Sequence, residues 1–204
     1  MGQIYRRAEQ YLDQLDPECI GQFVEVGTSR NGDDGSTPTI AGWAKRFDRR
    51  LWTVDIDPDN CDFVCRMNLD NVEIVNQSGE EFLKKFPAHN DSISFLYLDN
   101  FDWDWHPEKP EDFVLEQKQR YRMLGQDMTN LNSQRAHLAQ IVAATLALGK
   151  QCLVVCDDTW YNRWWGHYSG KSGAAIPYLL NLGFTVLETE EQPVYGTILG
   201  RGIG

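Results

Sequence analysis

Short apolar runs alternate along this chain with longer stretches in which apolar residues recur every three or four positions. Phe23 to Val26, Leu51 to Ile56, Val72 to Val75, Ile93 to Leu98 and Cys152 to Cys156 are dominated by β-branched, aromatic and aliphatic residues, the make-up of strands. Ile93 to Leu98 is nearly all apolar, as a strand buried on both faces must be. Ile4, Ala8, Tyr11, Leu12 and Leu15 fall on one face of an amphipathic lead-in helix over Ile4 to Leu15. Further helices are expected from near Pro38, with Thr37 as N-cap, from Gly79, over Leu131 to Leu148, and from Ala174 to Leu182, where Gly183 closes the last turn. Phe184 to Glu188 and Val194 to Leu199 read as a terminal hairpin across Glu190-Glu191. This order predicts an α/β fold with a doubly wound, Rossmann-like, mostly parallel sheet and an antiparallel C-terminal edge strand.

Three stretches break the rhythm. Gln22 to Gly32 runs a strand straight into Gly27-Thr28-Ser29, with Glu25 interrupting the apolar residues. A strand, a tight glycine turn and a helix start build the crevice of an open α/β sheet. The next loop, Thr28 to Ser36, is long and carries Gly32, Asp33, Asp34 and Gly35. Asp99 to Asn132 alternates Phe101, Trp103 and Trp105 with acids and then meets two prolines, the pattern of a lid or binding loop. Asp157-Asp158 leads into the aromatic run Trp160, Tyr161, Trp164, Trp165 and Tyr168.

Composition narrows the partners. With 204 residues, 42% hydrophobic and 24% charged, the chain suits a single domain over 1–204, with 99–132 as a lid or acceptor-binding insertion. A net charge of −11 argues against nucleic acid or an anionic membrane as main partner, since both need a basic footprint. No apolar run is long enough to span a bilayer, and the N-terminus opens a polar helix rather than a signal peptide. Gly2 is followed by Arg6 where a myristoylation signal wants Ser or Thr. The five cysteines show no framework spacing, so reduced thiols in a cytoplasmic protein are expected.

The glycine turn also limits the ligand. Gly27-Thr28-Ser29-Arg30-Asn31-Gly32 fails the GxGxxG pattern of dinucleotide folds. Gly27 and Gly32 have phosphate-loop spacing, but Asp33 stands where the lysine belongs; Gly170-Lys171-Ser172 fails because Trp165 occupies the first glycine position. What the crevice offers is acid. Asp55, ending the second strand, can accept from two vicinal ribose hydroxyls, and Glu25 near the turn suits a cationic ligand. S-adenosylmethionine, with a sulfonium, an ammonium and a ribose, fits that chemistry.

VEVGTS, TVDIDPD, VEIVNQSGEEF, FLYLDN and LVVCDD resemble, in order, the motifs of class I S-adenosylmethionine-dependent methyltransferases. Within these the chain is most similar to the metal-dependent small-molecule O-methyltransferases of the catechol and macrolide-sugar type. The match runs over about Phe23 to Asp158, and GKSGAAIPYLLNLGF resembles the region of the family beyond it. The resemblance implies that Glu25 and Gly27 meet the methionine part of the cofactor, Asp55 the ribose, and Gln77, Ser78, Gly79 and Glu80 the adenine side, with Ser29 a further cofactor contact. It implies Asp99, Asp157 and Asp158 as ligands of Mg2+ or Mn2+, with Asp99 also facing the cofactor; the last ligand is commonly Asn in the family.

Three acids this close repel unless a hard divalent cation or protonation relieves them. Asp157 and Asp158 can share an ion only if the strand ends between them. The lysine that the catechol-type pattern places three residues after the first metal aspartate is here Asp102, so the base is sought among His106, His137 and His167. The lid aromatics with Trp160, Trp164 and Trp165 would wall a pocket for an aromatic or sugar hydroxyl, or form a homodimer contact. A non-catalytic cofactor-binding partner and another metal-dependent enzyme, such as a hydrolase or hydroxylase, stay open.

Overall fold

The computed structural model describes residues 4–18, 20–30, 32, 34–86, 92–104, 110–191 and 195–203. Cys19, Asn31, Asp33, Trp105, His106 and Val194 lie outside the described residues.

The apolar runs become strands β1 (Gln22–Val26), β2 (Leu51–Asp55), β3 (Val72–Asn76), β4 (Ile93–Leu98) and β5 (Leu148–Asp157). After them come β6 (Thr159–Asn162), β7 (His167–Gly170), β8 (Thr185–Glu190) and β9 (Gly196–Arg201). The helices are α1 (Ile4–Arg7), α2 (Glu9–Leu12), α3 (Ser36–Arg46), α4 (Pro58–Cys65), α5 (Gly79–Lys85), α6 (Glu111–Met123), α7 (Asn130–Ala144) and α8 (Ile176–Asn181). The main sheet runs β3-β2-β1-β4-β5-β9-β8. β1 to β5 pair in parallel, and β9 is antiparallel to both β5 and β8. The C-terminal hairpin thus supplies the antiparallel edge, with β9 inside and β8 outermost.

Alternation along β4 divides the core. Ile93, Leu96 and Leu98 face a layer built with Phe82, Leu83, Ile141, Ala144, Ile176 and Leu179 from α5, α7 and α8. Phe95 and Tyr97 face Ile4, Tyr5, Leu12, Ile40 and Trp43 from α1, α2 and α3. Apolar burial on both faces is why β4 reads as a continuous hydrophobic run.

Several local expectations are corrected. The lead-in segment is two short helices rather than one, although Ile4, Ala8, Leu12 and Leu15 are buried as its periodicity requires. α3 starts at Ser36 with Gly35 at the cap position. Thr37 lies in its first turn, and its hydroxyl bonds Ser29 and Glu25 instead of capping. The segment 99–132 is not a bare loop, because it contains α6 and the start of α7. The aromatic run after Asp158 forms the small antiparallel ribbon β6–β7. Cys61, Cys65, Cys152 and Cys156 are free thiols, and no helix among the described residues is long and apolar enough to cross a membrane.

Candidate active site

Register brings the site together. Val26 pairs with Val54 on β2 and with Leu98 on β4, and Leu98 pairs with Cys156 on β5. One residue further on, at the carboxyl ends of these four neighbouring strands, stand Asp55, Gly27, Asp99 and Asp157. At ~4.8 Å per strand, Asp55 and Asp99 lie roughly 10 Å apart across the point where the strand order reverses. Gly27 has φ +99°, and a Cβ there would fall 2.4 Å from the Asn100 nitrogen. Only glycine lets the first turn approach the loop after β4 this closely.

On the β2 side, Asp55 is held by three donors. Its Oδ2 accepts from the Thr28 N–H at 3.0 Å and from Asn60 Nδ2 at 3.0 Å, and its Oδ1 from the Asp57 N–H at 2.8 Å. A carboxylate has about four acceptor positions, so the side chain is fixed with capacity to spare. Burial raises its pKa, against the lowering effect of these bonds. Ser78 caps α5 by accepting from the Glu81 N–H. Gly79 packs where a Cβ would meet Val26 Cγ1 at 2.3 Å; Gln77 is half-buried and Glu80 exposed.

Glu25 is fully buried. Ser36 Oγ donates to its Oε1 at 2.5 Å, and Thr37 Oγ1 and Thr53 Oγ1 donate to its Oε2 at 2.6 and 2.7 Å. Burial pushes its pKa up to about 7, against the pull of those hydroxyls. It therefore fastens the start of α3 to β1 and β2 from beneath the turn. Ser29, nearly buried, donates its N–H to Thr37 Oγ1.

On the β4–β5 side the acids do converge, and Lys171, to which the sequence reading gives no role at the site, stands among them. Lys171 Nζ lies 2.8 Å from Asp99 Oδ1 and 3.1 Å from Asp158 Oδ2, with its side chain 2% exposed. Burial alone would raise the pKa of Asp99, but the Lys171 charge and hydrogen bond, aided by Asp157 and Arg30, hold it below its ordinary value. Asp157 is pushed well up by burial and by the charges of Asp99 and Asp158. Lys171 is raised well above its ordinary value, because the surrounding acids outweigh its burial. β5 ends at Asp157, and Asp158 turns away with φ +45°.

Among the described residues, His137 and His167 do not supply an evident base. His137 is fully buried, with Nε2 at 2.7 Å from the Asn100 carbonyl and Nδ1 at 2.6 Å from Ser172 Oγ. The carbonyl requires a proton on Nε2, so Nδ1 accepts from the serine. Burial lowers its pKa to about 4. His137 thereby ties the loop after β4 to the residue next to Lys171. His167 is exposed at the outer end of the β6–β7 ribbon, paired with Asn162. Trp160 is buried against Tyr195, whereas Trp164 and Trp165 are exposed at the ribbon's tip and do not wall a pocket. Phe101 packs on Tyr121 at 5.0 Å between ring centres.

α6 covers the mouth through polar contacts. Arg120 pairs with Asp57, Arg30 reaches Gln117 and Asp102, and the Tyr121 hydroxyl accepts from the Asp102 N–H at 2.8 Å.

The site suits the cofactor better than the metal. Asp55 keeps about one acceptor position open, enough for one ribose hydroxyl. Asn100 Oδ1, beside the Gly27 turn, is a buried acceptor with no hydrogen-bond partner among the described residues, as a ligand ammonium would require. For a divalent ion the arrangement is poor: among the described residues no group of three His, Cys, Asp or Glu could hold a metal, and Lys171 bridges Asp99 and Asp158, although Asp157 Oδ1 is a buried acceptor with no hydrogen-bond partner among the described residues.

No family model matches the sequence, and comparison with curated proteins gives no match. Solved structures do match. The O-methyltransferase NovP is 10% identical with a TM-score of 0.60, over 96% of this chain and 78% of that one. MycE, a methyltransferase of the mycinamycin biosynthetic pathway solved with Mg and S-adenosylhomocysteine (SAH), is 10% identical with a TM-score of 0.55, over 98% of this chain and 49% of that one. A Streptococcus mutans protein described as a methyltransferase, solved with SAH, is 13% identical with a TM-score of 0.54, over 97% and 96%. An rRNA methylase from Streptococcus thermophilus, 11% identical, also matches, with a TM-score of 0.51 over 97% and 93%. At these identities the likeness is one of architecture: the chain has the Rossmann-like fold of class I S-adenosylmethionine-dependent methyltransferases.

Proposed function

We propose that the chain is an S-adenosylmethionine-dependent methyltransferase acting on a hydroxyl of a small molecule. The observation that carries this is the row Asp55, Gly27, Asp99 at adjoining strand ends: a fixed acid, a close backbone turn and a second acid on the far side. Such a row suits a ligand with a ribose at one end and a cationic centre at the other, and its acids would repel a polyphosphate.

The bound cofactor supplies an electrophilic methyl group. The protein's task is to hold an oxygen nucleophile in line behind it. Asp55 anchors the ribose end and Asn100 Oδ1 receives a donor near the turn. The acids beyond β4 and β5 then face the acceptor. Asp99 and Asp158 are about 30% exposed, at 32% and 27% of their side chains, so their oxygens can accept a hydrogen bond from the incoming hydroxyl. Asp99 Oδ1 is fixed by Lys171 and Oδ2 by the Tyr97 hydroxyl at 3.1 Å, which orients that carboxylate before the acceptor arrives.

An acidic mouth on a chain of net charge −11 favours a small acceptor over RNA, whose phosphates it would repel. The test is transfer of a labelled methyl group from S-adenosylmethionine to a panel of catechols and sugars, with rRNA as a parallel acceptor. Label in a small hydroxyl compound supports the reading. Label in the RNA alone, or in nothing, contradicts it.

A further inference from the structure

Lys171 reaches the acids by hairpin geometry. Thr159 pairs with Gly170 at the base of β6–β7, so the next residues outward, Asp158 and Lys171, meet where the ribbon joins the sheet. The Lys171 N–H donates to the Asp158 carbonyl at 3.0 Å, and the Ser172 N–H to Thr159 Oγ1 at 2.9 Å. Gly170 has φ +89°, and a Cβ there would lie 1.9 Å from the Asp158 oxygen. The closure is therefore built for glycine followed by a residue whose side chain turns inward. Ser172 is pinned in turn by His137, which leaves Lys171 little freedom to leave.

The position of its Nζ is that of a counter-ion shared by Asp99 and Asp158. A hard divalent ion bound by the same oxygens would sit about 2.0–2.6 Å from each. The ammonium sits 2.8 and 3.1 Å from them. The two cations cannot share that space. Expelling the lysine would require breaking both ion pairs of a side chain that is 2% exposed.

The geometry points to Lys171 as a built-in cation that takes the place of a divalent metal at the acid mouth, so that Asp99, Asp157 and Asp158 are not a metal site in this chain. The claim about metal stands on the ion-pair geometry alone. Only its consequence, that methyl transfer proceeds in chelator, rests on the proposed function.

Titration of the full chain with Mn2+, read by the paramagnetic resonance of the free ion, tests it directly. Wild type should bind no Mn2+ in a manner that depends on Asp99: any weak uptake by surface carboxylates should be equal in wild type and Asp99→Asn. Lys171→Ala should gain one stoichiometric Mn2+, and adding Asp99→Asn to that variant should remove it. Stoichiometric Mn2+ on wild type, lost in Asp99→Asn, would show that metal displaces the lysine and would overturn the inference. A folded Lys171→Ala that gains no Mn2+ would overturn it too, because the acids would not form a latent cation site. Should Lys171→Ala fail to fold, the comparison of wild type with Asp99→Asn decides alone. Loss of S-adenosylmethionine binding would count against the proposed function and leave this inference standing.

Discussion

Lys171 Nζ and Asp99 Oδ1 are 2.8 Å apart although 72 residues separate them in the chain. One closes a hairpin and the other ends the central strand of a buried sheet, so the contact joins the ribbon to the core. Removing one partner of a buried ion pair leaves the other uncompensated and costs roughly 3–5 kcal/mol. Lys171→Met should lose stability of that order in urea unfolding. A loss under about 1 kcal/mol, typical of a surface pair, would mean the cluster is solvated.

Gly170→Ala should have a related effect by another route. The left-handed conformation costs a non-glycine residue about 1–2 kcal/mol, and the Cβ would overlap the Asp158 oxygen. The variant should be destabilised by at least about 2 kcal/mol, with exchange of the Lys171 and Ser172 amides faster than in wild type. Unchanged protection at both amides would contradict the account of the closure.

Glu25 predicts a pH dependence. Its pKa rises from 4.5 to about 7 on folding, so the folded chain holds a proton that the unfolded chain releases. Its contribution to stability is full below pH 4.5 and is lost as the pH rises to about 7. The slope of that loss is about 1.4 kcal/mol per pH unit. His137, lowered to about 4, works in the opposite direction between about pH 4 and 6.5, so the wild-type curve alone does not isolate Glu25. Unfolding free energies of wild type and Glu25→Gln between pH 4.5 and 7 should diverge by that slope, the variant gaining relative to wild type. Parallel curves would show that Glu25 is ionised throughout.

α6 should be the first element to open in salt. It buries only Gln117 among its residues and is held by Arg120–Asp57 and by the contacts of Arg30 and Tyr121. The arginine ends of the Arg120–Asp57 and Arg30–Asp102 pairs are 39% and 44% exposed, and charges open to solvent are screened as the Debye length shrinks to about 3 Å at 1 M salt. Amide exchange over 111–123 should accelerate in salt and in Arg120→Ala while β4 and β5 stay protected. Equal exchange in both proteins at all salt concentrations would contradict this.

The sheet is legible in the sequence because its strands are buried on one or both faces, which writes Ile93 to Leu98 and Leu51 to Asp55 as apolar runs. Asp55, Asp99 and Asp157 are legible because acids that end apolar strands gather at one edge of a parallel sheet. α6 is not, since a helix held by polar contacts carries no apolar stripe. Trp164 and Trp165 read as pocket walls, but a tight ribbon places its tip residues in solvent. Lys171 stands out in the sequence as part of a failed phosphate loop and of the stretch GKSGAAIPYLLNLGF, neither of which assigns it a role among the acids. Its role depends on the register of β6–β7, and the signal available is the pairing of Thr159 with Gly170 across an aromatic turn. The metal expectation counts the acids without that lysine.

The row Asp55, Gly27, Asp99 is the proposed seat of S-adenosylmethionine. Calorimetric titration of the chain with SAH tests it most directly. One molecule should bind per chain, and Asp55→Ala should weaken binding by about 1.5–3 kcal/mol, the worth of hydrogen bonds to a charged group. Absence of binding to wild type, or equal affinity in Asp55→Ala, would contradict the account.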